Sequence, residues 1–170
     1  RPRFDAIGRW LIDLAADQCE VTVDITTALP KIPGICPTTV LVTLQPGDEF
    51  LDADFCFVEL SAVGDFVWCD IDNDGVQDPN EPGVPDITIE LLCAGPDQIL
   101  GTADDIGDQI VTDASGGYLF TDLLPGPCVV TMDQSTIPAT KELGICPPQV
   151  TVALQPGEAY LDAAFCIRSR

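Results

Sequence analysis

Apolar and polar residues alternate in short runs along much of the chain, the period of two expected of strands buried on one face. Val21-Thr22-Val23, Val40-Leu41-Val42-Thr43-Leu44, Thr88-Ile89-Glu90-Leu91-Leu92 and Val150-Thr151-Val152-Ala153-Leu154 are predicted as half-buried strands. Fifteen prolines and fourteen glycines punctuate these runs, as at Pro82-Gly83, Pro125-Gly126 and Pro156-Gly157. Strands this short at this spacing predict an all-β sandwich. Only Trp10 to Ala16 also reads as helix. Its alignment with Gly117-Tyr118-Leu119-Phe120, an aromatic strand leading to a Pro-Gly turn, favours strand there as well.

That alignment is part of an internal repeat. Gly8 to Asp24 falls without a gap on Gly117 to Asp133. After one skipped residue, Gly34-Ile35-Cys36-Pro37 falls on Gly144-Ile145-Cys146-Pro147, and Leu51-Asp52-Ala53-Asp54-Phe55-Cys56 on Leu161-Asp162-Ala163-Ala164-Phe165-Cys166. The expected organisation is therefore one complete repeat over 61–170, preceded over 1–60 by a stretch resembling only the second half of a repeat.

Charge narrows the partners. Twenty-eight acidic residues against seven basic ones give a formal net charge of −21, a surface that phosphate backbones and anionic membranes repel. Nucleic acid is excluded as a partner, and no apolar run is long enough to span a membrane. The N-terminus lacks the charged and apolar regions of a signal peptide, as a mature or processed chain would. Because 46% of residues are apolar, the chain is expected to fold despite its self-repulsion, with hard divalent cations as natural counterions.

The eight cysteines, Cys19, Cys36, Cys56, Cys69, Cys93, Cys128, Cys146 and Cys166, are dispersed, with no CxxC pair and no histidine in the chain. Zinc spacing is absent. An even number of scattered cysteines among strands points to disulfides in an oxidising compartment. A bridge across Cys19 and Cys36, with its counterpart across Cys128 and Cys146, would close loops worth about 3 kcal/mol each. Three cysteines in the half repeat and five in the whole leave an odd one on each side, for a bridge between the units or between molecules.

The most informative motif is Asp70-Ile71-Asp72-Asn73-Asp74-Gly75-Val76-Gln77-Asp78-Pro79-Asn80-Glu81. It follows a twelve-residue calcium loop position by position: Asp70, Asp72, Asp74 and Asp78 at places 1, 3, 5 and 9, Gly75 at the sharp turn, the Val76 carbonyl at 7, and Glu81 as a bidentate ligand at 12. Pro82-Gly83-Val84-Pro85 forbids an exit helix, so the ion is expected to stiffen a loop between strands instead of reorienting a helix pair. Asp97, Asp104, Asp105 and Asp108 form a second acidic stretch, read either as another calcium site or as a plain polar loop.

Several linked motifs resemble one family. Val63-Gly64-Asp65-Phe66-Val67-Trp68, the Asp70 to Glu81 loop, Pro82-Gly83-Val84-Pro85-Asp86-Ile87-Thr88-Ile89, Asp113-Ala114-Ser115-Gly116-Gly117-Tyr118-Leu119-Phe120, Leu124-Pro125-Gly126 and Leu161-Asp162-Ala163-Ala164-Phe165 occur in order over about 63–167. Together they resemble the B-type repeat of serine-aspartate repeat surface proteins, the SdrD B-like domains, related to collagen-adhesin B-type and transthyretin-like sandwiches. The resemblance implies a Greek-key, Ig-like or transthyretin-like β-sandwich, calcium at the loop carboxylates, and service as a rigid spacer or stalk. The cysteines depart from the family pattern. The lysine-to-asparagine crosslink of some relatives lacks its residues, since Lys31 and Lys141 read as lying in proline-containing connections and Asn73 and Asn80 lie inside the loop.

An enzyme is not expected. The chain has no histidine, no Gly-x-Ser-x-Gly elbow and no phosphate-cradling glycine loop, and paired acids such as Asp52 with Asp54 come freely in so acidic a chain. Two readings stand. One is a secreted or cell-surface structural protein that self-associates into a filament or stalk, with strands from another subunit completing the half repeat; a truncated half repeat is the simpler account of residues 1–60. The other is an adhesin-type module recognising a host, matrix or carbohydrate ligand.

Overall fold

A computed structural model describes residues 3–4, 10–11, 18–23, 31–33, 38–46 and 48–170. The chain divides into two compact units, Arg1–Phe57 and Val58–Arg170, three residues before the boundary expected from the repeat.

The first unit contains β1 (Arg3–Phe4) paired antiparallel with β2 (Trp10–Leu11), and β3 (Gln18–Thr22) paired antiparallel with β5 (Thr39–Thr43), with β4 (Lys31–Pro33) between them in sequence. Trp10 and Leu11 are thus extended, and residues 12–17 of the stretch that also read as helix lie outside the described residues. A short strand, β6 (Phe57–Glu59), stands at the boundary.

The second unit is a sandwich of two sheets. One has the order β10 (Gly117–Leu123), β7 (Ser61–Cys69), β15 (Phe165–Ser169), β12 (Lys141–Leu143), with β14 (Ala159–Tyr160) also on β7. The other has the order β13 (Gln149–Leu154), β11 (Gly126–Met132), β8 (Thr88–Cys93), β9 (Ile106–Val111). Every connection from β9 through to β14 passes from one sheet to the other, so the sheets can hold together only face to face. This crossing connectivity is of the Greek-key kind.

The core follows from the alternation. Ile89, Leu91 and Cys93 of β8, Cys128, Val130 and Met132 of β11, and Val152 and Leu154 of β13 point inward from one sheet. Val63, Val67 and Cys69 of β7, Tyr118 and Phe120 of β10, and Phe165 and Ile167 of β15 meet them from the other. Each such side chain removed from water contributes about 1.5–3 kcal/mol to folding. In β10 the alternation slips between Phe120 and Leu123, where Asp122 takes φ 60° and the pairing with β7 shifts register. This bulge turns Leu123 into the core.

The repeat seen in the sequence recurs as a pairing register. Cys19 stands opposite Val42 and Val21 opposite Val40 on β3 and β5. Their counterparts Cys128 and Val130 stand opposite Val152 and Val150 on β11 and β13.

Candidate metal centre

The acidic loop is built onto the end of β7. Asp70 follows Cys69 directly and its N–H bonds to the Ile167 carbonyl at 2.8 Å, so its position is inherited from the parallel pairing of β7 with β15. The chain leaving the loop returns along the same strand: Cys69 N–H bonds to the Pro82 carbonyl at 2.9 Å, and Val84 N–H to the Val67 carbonyl at 2.8 Å. Both ends are therefore anchored in the sandwich, and no helix precedes or follows the loop.

Within the turn the carboxylates organise the backbone. Asp70 Oδ2 accepts from Gly75 N–H at 3.0 Å, Asp72 Oδ1 from Asp74 N–H at 3.3 Å, and Asp74 Oδ1 from Val76 N–H at 2.7 Å. Glu81 joins the two ends, Oε1 accepting from Ile71 N–H at 2.5 Å and Oε2 from Asp78 N–H at 3.1 Å. Gly75 takes φ 79° and Asn73 φ 61°, left-handed conformations that the tight turn requires and that glycine and asparagine tolerate best.

Asp70, Asp72 and Asp74 each direct a carboxylate oxygen into one group, all within 4.8 Å of one another. The carboxylates of Asp78 and Glu81 lie outside that group, and Val76 is exposed. Asp70 is completely buried, yet its Oδ1 has no hydrogen-bond partner; neither has Asn73 Oδ1. A buried unpartnered carboxylate oxygen costs several kcal/mol unless a cation meets it. Partial desolvation, and the nearby charges of Asp74, Glu81 and Asp78, push the Asp72 carboxyl above its ordinary range, while its bond from Asp74 N–H pulls it back. The donors are all oxygen, the set that suits a hard cation such as calcium, without the thiolate or imidazole of structural zinc sites. Asn73 escaped the sequence reading, which followed the alternate acidic places and passed over an amide at place 4.

The second acidic stretch is arranged differently. Asp97 Oδ1 accepts from Ile99 N–H, Asp104 Oδ1 from the Thr102 hydroxyl, Asp105 Oδ2 from Gly101 N–H, and Asp108 Oδ1 from Gln109 N–H. The Thr102 bond holds the Asp104 carboxyl below the usual range. Among the described residues these four carboxylates are not gathered into a metal-sized group; Asp97, Asp104 and Asp105 bond within the loop, and Asp108 bonds to its neighbour in β9.

The disulfides correct one expected pairing. Cys128 bonds to Cys93, not to Cys146, and Cys146 bonds to Cys166. The reason lies in the register: β8 and β11 place Cys93 directly opposite Cys128, with Cα atoms 4.0 Å apart. Cys56 is also disulfide-bonded, and Cys36 lies outside the described residues. Cys69 is a buried thiol. Lys31 and Lys141, expected in connections, stand instead in β4 and β12.

A two-sheet sandwich with an acidic loop hung from its first long strand is the class of domain defined here. Residues 61–144 match the SdrD B-like domain family, and this segment of the chain belongs to it, as its motifs implied. Among curated proteins, the chain is 36% identical over 97 residues to the "Bone sialoprotein-binding protein" of Staphylococcus aureus strain MRSA252. It is 38% identical over 97 residues to the "Serine-aspartate repeat-containing protein E" of S. aureus strain Mu50. Each match takes in 56% of this chain and only 8% of the relative's length. Among solved structures, the minor pilin GBS52 of Streptococcus agalactiae is similar with a TM-score of 0.46 at 12% identity, over 78% of this chain and 53% of that one.

Proposed function

We propose that this protein is an extracellular structural repeat, its second unit a calcium-stiffened and disulfide-braced spacer in a surface filament or stalk. The observation that carries the calcium reading is Asp70 Oδ1, fully buried and unpartnered, beside the oxygens of Asp72 and Asp74. Asp70, Asp72 and Asp74 would hold the ion, with Glu81, Asp78 and the Val76 carbonyl as the remaining donors of a calcium loop. Bound calcium would cancel the carboxylate repulsion and fix the turn to β7. With affinities of about 0.1–1 mM, usual for extracellular modules, millimolar calcium would add about 0.4–1.4 kcal/mol. The two disulfides close loops of 35 and 20 residues, for which chain entropy gives about 3–4 kcal/mol each. Covalent bracing therefore sets global stability, and calcium sets local stiffness.

A structural role is favoured over ligand binding because the aromatics of β7 and β10 are spent on packing. Tyr118 and Phe120 are core residues, and Trp68 is 5% exposed, its edge against Phe66; they form no open platform. Self-association would proceed by strand addition, a strand from a neighbouring copy lying against β3 as β8 lies against β11. The test is calorimetry and electron microscopy of the purified chain, with calcium and with a chelator. A calcium-dependent rise in melting temperature that Asp70→Asn abolishes supports the ion site, and its absence removes it. A chain that stays monomeric at high concentration in millimolar calcium removes the filament.

A further inference from the structure

The second unit holds five cysteines, four of which form its two disulfides. The fifth, Cys69, closes β7 and is 4% exposed. Its sulfur has a specific neighbour: Lys141 Nζ donates to Cys69 Sγ at 2.9 Å. The contact follows from sheet register. Ile167 of β15 stands opposite Cys69 on one side and opposite Leu143 of β12 on the other. These three make one row facing the core, and Lys141, two residues before Leu143, projects from the same face. Its four-carbon stem crosses β15 to bring the amine onto the thiol.

Charge makes the choice of neighbour unusual. The chain has two lysines and 28 carboxylates, yet among the described residues Lys141 makes no ion pair. The adjacent Glu142 faces the opposite way and pairs with Arg168 at 2.7 Å. Nor, among the described residues of the second unit, is another sulfur placed to react with Cys69. Cys166 stands opposite Trp68, one residue out of phase with the Cys69 row, and is committed to Cys146.

We propose that Cys69 and Lys141 form a covalent sulfur–nitrogen clasp under oxidising conditions, with hydrogen peroxide as the oxidant. Peroxide oxidises the thiol to a sulfenic acid: the O–O bond breaks, an S–O bond forms, and one water leaves. The neutral Lys141 amine then attacks the sulfur. The S–N bond forms, the S–O bond breaks, and the hydroxyl departs with a proton from nitrogen as a second water. One thiol, one amine and one peroxide thus give one sulfenamide and two waters. The sulfur loses two electrons and peroxide gains them. Small-molecule thiols reverse the step by attacking sulfur and leaving as their own disulfide. The clasp ties β7 to β12, the edge strand of its sheet, across the intervening β15 and 72 residues of sequence.

The test treats the whole folded chain with a stoichiometric amount of hydrogen peroxide, then digests it and analyses the peptides by mass spectrometry. After cleavage at acidic residues, which puts Cys69 and Lys141 on separate peptides, the expected product joins those two peptides with a net loss of two hydrogens. The treated chain also resists tryptic cleavage after Lys141, and the joined product disappears on incubation with dithiothreitol. The treated chain should also melt higher than the untreated one. Lys141→Arg keeps the charge and removes the condensing amine; it should show neither crosslink nor upward shift, with Cys69 left as a sulfenic acid that dimedone traps. Lys141→Met, which keeps an unbranched chain of similar length, should behave as the arginine variant does if that one folds poorly. Recovery of Cys69 from the treated wild type as a free thiol, a sulfinic acid or a mixed disulfide, with Lys141 unmodified, overturns the proposal. So does an equal melting shift in the lysine variants.

Discussion

Gly83 and Gly116 lie where the returning end of the acidic loop crosses the turn before β10, and neither tolerates a side chain. A Cβ on Gly116 would sit 2.4 Å from the Val67 carbonyl oxygen, at φ 83°; one on Gly83 would sit 1.7 Å from the Ser115 carbonyl oxygen. Gly116→Ala is expected to cost about 2–4 kcal/mol by combined overpacking and backbone strain, read as a lowered urea midpoint. Asp65, on the core side of β7, presents the opposite case. Burial, then the charge of Asp162, raises its carboxyl to about 6, against a small opposing bond from Phe66 N–H. A carboxyl raised in the folded state favours folding below its ordinary range near 3.8, and that contribution is lost as pH rises through about 6. Asp65→Asn should therefore stabilise the protein at pH 7, by about 1 kcal/mol after allowance for solvent screening, with the gain vanishing towards pH 4 in urea melts. The Tyr118 hydroxyl donates to the Ala163 carbonyl, and burial with the charge of Asp65 pushes its phenol well above the ordinary value. None of these four residues announces its role in the sequence, because each depends on a neighbour distant along the chain.

At the level of elements, the strands were legible and their partners were not. The four strands predicted from alternation coincide with β3, β5, β8 and β13, because a period of two reports directly which face is dry. Cysteine pairing depends instead on which strands lie side by side. Cys128 and Cys146 are close in sequence, but the strand laid against β11 brings Cys93 to Cys128. Replacing Cys93 and Cys128 together by serine is expected to cost about 3–4 kcal/mol. Replacing Cys128 and Cys146, which are nearer in sequence, should cost more, since it breaks both disulfides of the second unit. Chemical denaturation of the two double variants side by side checks the difference. The equal register of β3–β5 and β11–β13 explains why the repeat was visible at all: residues that pair in the same way are held to the same alternation.

For the molecule as a whole, a charge of −21 opposes compaction, and two remedies are open to it, screening by salt and specific neutralisation by calcium. They are separable. Salt should raise the melting temperature gradually, whereas calcium should raise it by about 2–6 °C with saturation near millimolar concentrations, and only while Asp70 is intact. Residues 58–170, a compact unit with its own core and both described disulfides, are expected to fold alone and to give the same calcium shift, measured by scanning calorimetry.

The sequence alone determined the strands, the repeat, the family likeness and the acidic loop, since each is written in neighbouring residues through alternation, recurrence or fixed spacing. Tertiary structure decided the rest. It chose which sulfurs meet, buried Asp70 until one of its oxygens had no partner, separated the carboxylates of the second acidic stretch, and carried Lys141 across a strand to Cys69. All four depend on which strand lies beside which, and that is settled by the packing of two sheets over one shared core.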